Sequence, residues 1–138
     1  MVDRFTLNVP GKPDYVGTVR MTVAHIASRA GFDIEAIDDI KVAVSEACTN
    51  IIMHAHDDDA YNYEVLIELG EDVLAITVKD DGEGFGIEDY EPPTPGGSQG
   101  SGLGIFIIKA MMDEVDIQSE QGVGTTIRMS KRLQSQNR

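Results

Sequence analysis

The sequence predicts a single α+β domain in which helices cover one face of a sheet. Short segments with alternating apolar and polar residues predict strands, and three longer segments with apolar residues three and four apart predict helices. The helices are grouped and the paired strands are joined by short turns, so we expect mostly antiparallel neighbours. The length of 138 residues suits one domain, so we expect residues 1–138 to fold together, with 134–138 as a frayed tail.

The first strand and the first helix are separated by a proline-rich turn. Residues 5–9 alternate in polarity and predict the strand, which Pro10-Gly11-Lys12-Pro13 ends. From Asp14 to about Ala30 the apolar residues have helical spacing, and Gly31 is a typical helix stop. The apolar stripe of this helix consists of Val16, Val19, Val23, Ile26 and Ala27.

The second helix begins after Asp33, whose carboxylate can cap the first turn. Ala36 stands where a capping box would have Glu, so only half of that motif is present. The helix is predicted to extend to about His56, where a run of aspartates ends it. Its apolar stripe consists of Ile34, Ile37, Ile40, Val44, Ala47, Cys48 and Ile51.

The second half of the chain is predicted to contain four strands, one helix and a long glycine-rich segment. A short hairpin loop, residues 70–72, joins the first two of these strands. The segment from Asp80 to about Gly102 is rich in glycine and proline, and irregular segments of roughly 20 residues inside a domain are often functional. The predicted elements are strands 63–69 and 73–78, helix 103–112, and strands 115–119 and 125–130.

The composition restricts the partners and the compartment. The chain has 11 basic and 24 acidic residues, a net charge of −13, so we expect no nonspecific nucleic-acid binding and no attraction to an anionic membrane. Cys48 is the only cysteine, and no apolar run approaches the roughly 20 residues that span a bilayer. Because the first residues also lack the apolar core of a secretion signal, we expect a cytoplasmic protein.

Two polar residues of the second helix, Glu46 and Asn50, are four positions apart and therefore share one helical face. Mg²⁺ prefers oxygen ligands and keeps several waters, so one amide oxygen together with substrate phosphates can hold it. A carboxylate nearby can act as a general base toward a hydroxyl group or water. The same spacing is also common on solvated helix faces, where it forms a simple hydrogen bond between neighbouring turns.

Asp80 follows a predicted strand and precedes Gly82 and Gly84. A carboxylate in this place can accept a hydrogen bond from the amino group of a base, while bare glycine backbone approaches the ring. An acidic turn after a strand is the simpler interpretation. A calcium-binding loop is excluded, because its ligand positions are not filled.

A second glycine-rich run, Gly100-Ser101-Gly102-Leu103-Gly104, opens the third helix. Glycines before a helix free backbone N–H groups for a phosphate, and the helix dipole favours an anion there. Prolines rather than a buried strand precede this run, so we expect no Rossmann site, and no Walker-type phosphate loop is present. Gly124-Thr125-Thr126 begins the last strand, where a simple turn is the alternative interpretation.

In this order, the four motifs resemble the GHKL superfamily of ATP-binding proteins, with its N box, two glycine boxes and closing threonine motif. Val44 to Asn50 and Leu103 to Val115 are similar to the anti-sigma-factor serine kinases of the RsbW and SpoIIAB type. The resemblance covers residues 5–133. It implies a Bergerat fold, which is a mixed, mostly antiparallel sheet with helices packed on one face.

The resemblance also implies roles for individual residues. Asn50 would coordinate Mg²⁺, and Glu46 would orient or deprotonate the attacking hydroxyl group. Asp80 would accept a hydrogen bond from the adenine amino group, with Gly84 and Thr125 near the same base. The residues implied to bind the nucleotide are Asn50, Asp80, Gly82, Gly84, Gly100, Ser101, Gly102, Leu103, Gly104 and Thr125.

ATP and Mg²⁺ are the ligands, and protein serine kinase the activity, that the resemblance implies. It also implies a homodimer that sequesters a sigma factor and phosphorylates an anti-anti-sigma factor of the STAS type. Two alternatives stay open, a non-catalytic anti-sigma module that binds ATP or ADP, and the catalytic fragment of a histidine kinase. We expect no helical dimerisation segment with a phospho-acceptor histidine before the domain, because His25 and His54 lie on helices inside it. This disfavours the histidine kinase fragment.

Overall fold

The computed structural model describes residues 1–54, 61–80, 101–120 and 124–134. Each predicted strand and helix is present, and the predicted ends are close to the observed ones. The residues predicted for the end of the second helix at 55–56, most of the irregular segment at 81–100 and the tail at 135–138 lie outside the described residues. The elements are β1 (Asp3–Pro10), α1 (Val16–Ala30), α2 (Ile34–His54), β2 (Asn62–Leu69), β3 (Val73–Asp80), α3 (Ser101–Met111), β4 (Glu114–Glu120) and β5 (Gly124–Arg132).

The strands form one five-stranded sheet in the order β1-β2-β3-β5-β4. All four pairings between the described strands are antiparallel, so the predicted α+β class and the mostly antiparallel sheet are confirmed. Because β3 and β4 both pair with β5, they run parallel to one another without touching. The register places the end of β3 and the end of β4 on either side of the start of β5.

The helices lie on one face of the sheet, where α2 packs between α1 and α3. The predicted stripe of α1 is confirmed, since all five of its residues are buried. In α2 the prediction fails for Ile34, the first residue of the helix, which is 79% exposed, whereas Ile37 is partly buried against the core. No helix in the described ranges is long and apolar enough to cross a membrane. The buried residues of α2 are Ile40, Ala43, Val44, Ala47, Cys48, Asn50 and Ile51.

The corner between α1 and α2 is fixed by the two residues predicted for it. Gly31 ends α1 with a φ of 106°, a left-handed conformation that glycine adopts at low cost. The Asp33 carboxylate then accepts a hydrogen bond of 2.8 Å from the Ala36 N–H, which caps α2. The predicted helix from Asp14 instead begins with a 3-10 turn, Pro13–Tyr15, before α1.

The end of α3 is tied to the sheet and to the start of α2. Lys131 of β5 donates a hydrogen bond of 2.7 Å to the carbonyl oxygen of Met111 and lies 3.9 Å from the Asp39 carboxylate. The positive charge of Lys131 also interacts favourably with the negative, C-terminal end of the α3 helix dipole. The contact anchors α3 at its C-terminal end, and its first turn then lies beside the C-terminal half of α2.

Cys48 lies in the core, and its ionisation should make the fold sensitive to alkali. Burial raises the pKa of its thiol from the ordinary 9.0 to about 11, partly offset by the nearby Tyr63 hydroxyl. The folded protein therefore keeps the proton in a range where the unfolded chain loses it. This contribution to stability is complete below about pH 9 and is lost as the pH rises to about 11.

We expect the Cys48→Ala variant to lose less stability than the wild type between pH 9 and 11, by an amount on the order of 2 kcal/mol. Urea unfolding across that pH range measures the difference. Val44→Ala, another truncation on α2, is the control and should lower stability equally at every pH. Parallel pH profiles for the wild type and Cys48→Ala would contradict the expectation.

Candidate functional site

Glu46 and Gly104 bring the second helix and the second glycine-rich run together. The Glu46 Oε1 atom lies 3.1 Å from the position that a Cβ atom on Gly104 would occupy. The missing side chain at Gly104 therefore makes room for the carboxylate in the first turn of α3. The sequence predicts a phosphate-binding role for this glycine, and the structure adds a close approach to the predicted general base.

We expect Gly104→Ala to lower the rate of phosphoryl transfer several-fold without lowering stability. The added Cβ shifts the Glu46 carboxylate by a few tenths of an ångström, and a displacement of about 1 Å can cost roughly 100-fold in rate. Alanine in a helix is favoured over glycine by roughly 0.5–1 kcal/mol. Single-turnover transfer and thermal unfolding measure the two effects.

Gly17→Ala on α1 is a matched control, because its Cβ would lie 3.2 Å from the Arg20 side chain. This variant should gain similar helix stability and keep the wild-type rate of transfer. Equal rates for Gly104→Ala and the wild type would show that the contact with Glu46 has no effect on transfer.

Asn50 presents a buried polar atom with no partner among the described residues. The side chain is 4% exposed, and its Oδ1 atom accepts no hydrogen bond from the residues that the structure describes. Leaving such a group unsatisfied costs roughly 1–3 kcal/mol, so a native structure that keeps one calls for an explanation. An amide oxygen is a suitable ligand for Mg²⁺. Because Asn50 is buried, the alternative that it lies on a solvated helix face is wrong.

Asp80 and Thr125 lie directly opposite each other on β3 and β5. They are 4% and 2% exposed, so Asp80 is the last buried residue of its strand and not part of a solvated turn. The Thr125 Oγ1 and Ser119 Oγ atoms are 2.8 Å apart and form a hydrogen bond. A carboxylate and two hydroxyl groups thus form a polar row across three strands.

Tyr61 connects the polar row to the end of α2. Its hydroxyl donates a hydrogen bond of 3.4 Å to the carbonyl oxygen of Ile52, two residues beyond Asn50. Burial and, to a smaller extent, the nearby charge of Asp80 raise the pKa of Tyr61. Asn50 and Asp80 are therefore at the same end of the domain.

The other predicted residues are placed only in part. Leu103, Gly102 and Gly104 belong to the first turn of α3, which begins at Ser101. Gly82, Gly84 and Gly100 lie outside the described residues. Sequence analysis missed Ser119 and Tyr61, because neither belongs to a motif and only the strand register and the helix contact bring them to the site.

A hollow of about 340 Å³ near this end of the sheet is not the predicted site. Its lining includes Lys79, which is the neighbour of Asp80 on β3. Successive side chains of a strand point to opposite faces, so Lys79 is exposed and Asp80 is buried. None of the predicted site residues within the described ranges lines it. The lining residues are Asn8, Asn62, Tyr63, Glu64 and Lys79.

Comparison with known proteins identifies the family. The family described as Histidine kinase-like ATPase domain matches residues 9–131, which include Glu46, Asn50, Asp80 and Thr125. The chain belongs to this family. The predicted resemblance is thereby confirmed, and membership of an ATPase domain family implies that the chain binds ATP.

Relatives within the histidine kinase-like ATPase family carry a more specific name. The protein named Serine-protein kinase RsbW in Bacillus subtilis (strain 168) is 42% identical over 142 residues, which is 95% of this chain and 86% of the relative. The protein of the same name in Oceanobacillus iheyensis is 42% identical over 139 residues, 94% of this chain and 86% of the relative. The predicted RsbW-type membership is confirmed.

Solved structures agree on the fold. The RsbU and RsbW domains of a Mycobacterium tuberculosis protein superimpose with a TM-score of 0.74 at 21% identity, over 99% of this chain and 34% of that chain. The histidine kinase domain of a blue-light activated histidine kinase from Erythrobacter litoralis gives 0.55 at 25% identity, over 90% of this chain and 61% of that chain. The first likeness confirms the predicted Bergerat fold.

Proposed function

We propose that the chain is an ATP-dependent protein serine kinase that also acts as an anti-sigma factor. The observation that carries the proposal is the buried Asn50 oxygen, which has no hydrogen-bond partner in the described part of the chain and lies one helical turn from Glu46. Relatives about 40% identical over nearly the whole chain are named serine-protein kinases, which supports the same activity here. The substrate would be a serine of an anti-anti-sigma factor of the STAS type.

The residues of α2 fit a Mg²⁺-nucleotide. Asn50 would hold Mg²⁺ through Oδ1, and the ion when bound would neutralise charge on the phosphates. Glu46 would accept the proton of the attacking serine hydroxyl. The serine oxygen would bond to the γ-phosphorus as the bond to ADP breaks. The first turn of α3, including Gly102 and Gly104, would offer backbone N–H groups to the phosphates.

The polar row would bind the base. The Asp80 carboxylate would accept a hydrogen bond from the adenine amino group, and the Thr125 hydroxyl would lie beside it, directly or through water. Gly82, Gly84, Gly100, Ser101 and Leu103 complete the proposed nucleotide site by family resemblance. Phosphoryl transfer needs little beyond positioning and charge neutralisation, so this set of groups suffices.

The charge of the chain supports the proposed exchange of partners. At −13, it can attract a sigma factor, whose DNA-binding face is basic. Phosphorylation adds roughly −1.5 to −2 charge to the antagonist serine, which weakens its binding to an acidic kinase. A homodimer in the cytoplasm is part of the same proposal and rests on the family resemblance.

Transfer of labelled phosphate tests the kinase activity. The full chain is incubated with Mg²⁺ and ATP labelled at the γ-phosphate, together with a candidate anti-anti-sigma factor of the STAS type. We expect phosphoserine on that protein, and its formation to be slower by about 100-fold or more with the Glu46→Gln variant. Tight binding of ATP without any phosphoserine would contradict the kinase and favour a non-catalytic anti-sigma module.

A further inference from the structure

Ser119 belongs to the polar row but to none of the sequence motifs. On β4 it lies directly opposite Thr125, which in turn lies opposite Asp80. Side chains that face each other across neighbouring strands point to the same face of the sheet. The Ser119 hydroxyl is 2.8 Å from that of Thr125, whose side chain is 2% exposed. The Thr125 hydroxyl is therefore buried, and its hydrogen bond with Ser119 limits which further hydrogen bonds it can form.

The direction of this hydrogen bond decides what Thr125 can offer to a ligand. A threonine hydroxyl has one proton and two lone pairs. If Ser119 donates to Thr125, the Thr125 proton remains available for another acceptor. If Thr125 donates to Ser119, only lone pairs remain. Asp80 when ionised can only accept, so a donor in this row has to come from a hydroxyl group, and Thr125 carries the one directly opposite Asp80.

We propose that Ser119 is a positioning residue for base selection, which donates to Thr125 and thereby keeps Thr125 a hydrogen-bond donor beside the acceptor Asp80. This inference rests on the proposed nucleotide site. The edge of adenine offers an amino donor at N6 and an acceptor at N1, which matches an acceptor next to a donor. Guanine offers the acceptor O6 and the donor N1–H, so it would leave polar groups of the site unpaired.

A double-mutant cycle tests the proposal. The affinities for ATP and for GTP are measured by calorimetry for the wild type, Ser119→Ala, Thr125→Val and the double variant. We expect Ser119→Ala to lower the preference for ATP over GTP by about 3- to 10-fold, the worth of one hydrogen bond. In the Thr125→Val background the same change should have no further effect, because Ser119 acts through Thr125.

Two further variants separate this role from a structural one. Ser119→Thr keeps the hydroxyl and should restore the preference for ATP. Ser130→Ala removes a buried hydroxyl from the other end of β5, where the side chain is 6% exposed, and should leave the preference unchanged. If Ser119→Ala does not fold, Ser119→Cys, with its weaker donor, should give a fall in preference in the same direction.

An unchanged preference in Ser119→Ala would overturn the inference, and so would an equal effect in the presence and absence of the Thr125 hydroxyl. The inference and the proposed function fail in different ways. Wild-type protein that does not bind ATP would contradict the nucleotide site itself. Wild-type binding with an unaltered Ser119→Ala preference would contradict only the role of Ser119.

Discussion

Replacing Asn50 by alanine is expected to weaken Mg²⁺-dependent ATP binding by about 100-fold or more. Loss of a group that merely orients a metal ligand costs about 10- to 100-fold in metal affinity, so loss of the ligand itself should cost at least as much. Without ligand, the Asn50→Ala variant should have a free energy of unfolding equal to or higher than that of the wild type. It removes a buried oxygen that has no hydrogen-bond partner among the described residues.

Calorimetry with Mg²⁺ and with a chelator measures the first effect, and urea unfolding measures the second. Asn50→Asp keeps an oxygen ligand and should retain much of the Mg²⁺-dependent affinity. Thr49→Ala changes the exposed neighbour on α2 and should bind as the wild type does. If Asn50→Ala bound Mg²⁺-ATP normally, Asn50 would have no part in holding the ion.

Replacing Glu46 by glutamine or alanine is expected to lower the rate of phosphoryl transfer by about 100- to 10,000-fold, the usual contribution of a general base. ATP affinity should remain within about 3-fold of the wild type, because the charge of Glu46 acts on the serine hydroxyl in the transition state. The Glu46→Gln variant keeps the size of the side chain beside Gly104. A slower rate in this variant therefore reports the loss of the base and not a change in packing.

Single-turnover transfer to the STAS protein, at ATP concentrations that saturate each variant, gives the rates. Glu35→Gln, which changes an acidic residue in the first turn of α2, is the control and should transfer at the wild-type rate. Normal turnover by Glu46→Gln would exclude Glu46 as the base, even if nucleotide binding followed the expectation for Asn50.

The sequence was sufficient to predict the layers of the fold. Alternation in the strands and the stripe of α1 reflect burial on one face, which acts residue by residue and is therefore visible without coordinates. The same holds for the cap at Asp33 and the stop at Gly31, because both are local interactions. Ile34 was predicted wrongly, since periodicity alone does not show where along a helix the core begins.

The contacts that assemble the site could be predicted only in part. The resemblance grouped Glu46, Asn50, Asp80 and Thr125, and the family match covers all four. The approach of Gly104 to Glu46 depends on how α3 packs against α2. Such relations join residues far apart in sequence, and no local pattern encodes them. The positions of Ser119 and Tyr61 depend on strand register and on the end of α2 for the same reason.

We propose that the face of α2 that carries Glu46 and Asn50 and the polar row of the sheet bind one nucleotide between them. Calorimetric titration of Mg²⁺-ATP and Mg²⁺-GTP into the wild type, Asn50→Ala and Asp80→Asn tests it most directly. We expect one ATP per chain, a loss of Mg²⁺-dependent affinity in Asn50→Ala, and a smaller preference for ATP over GTP in Asp80→Asn. Wild-type affinity and preference in both variants would contradict it.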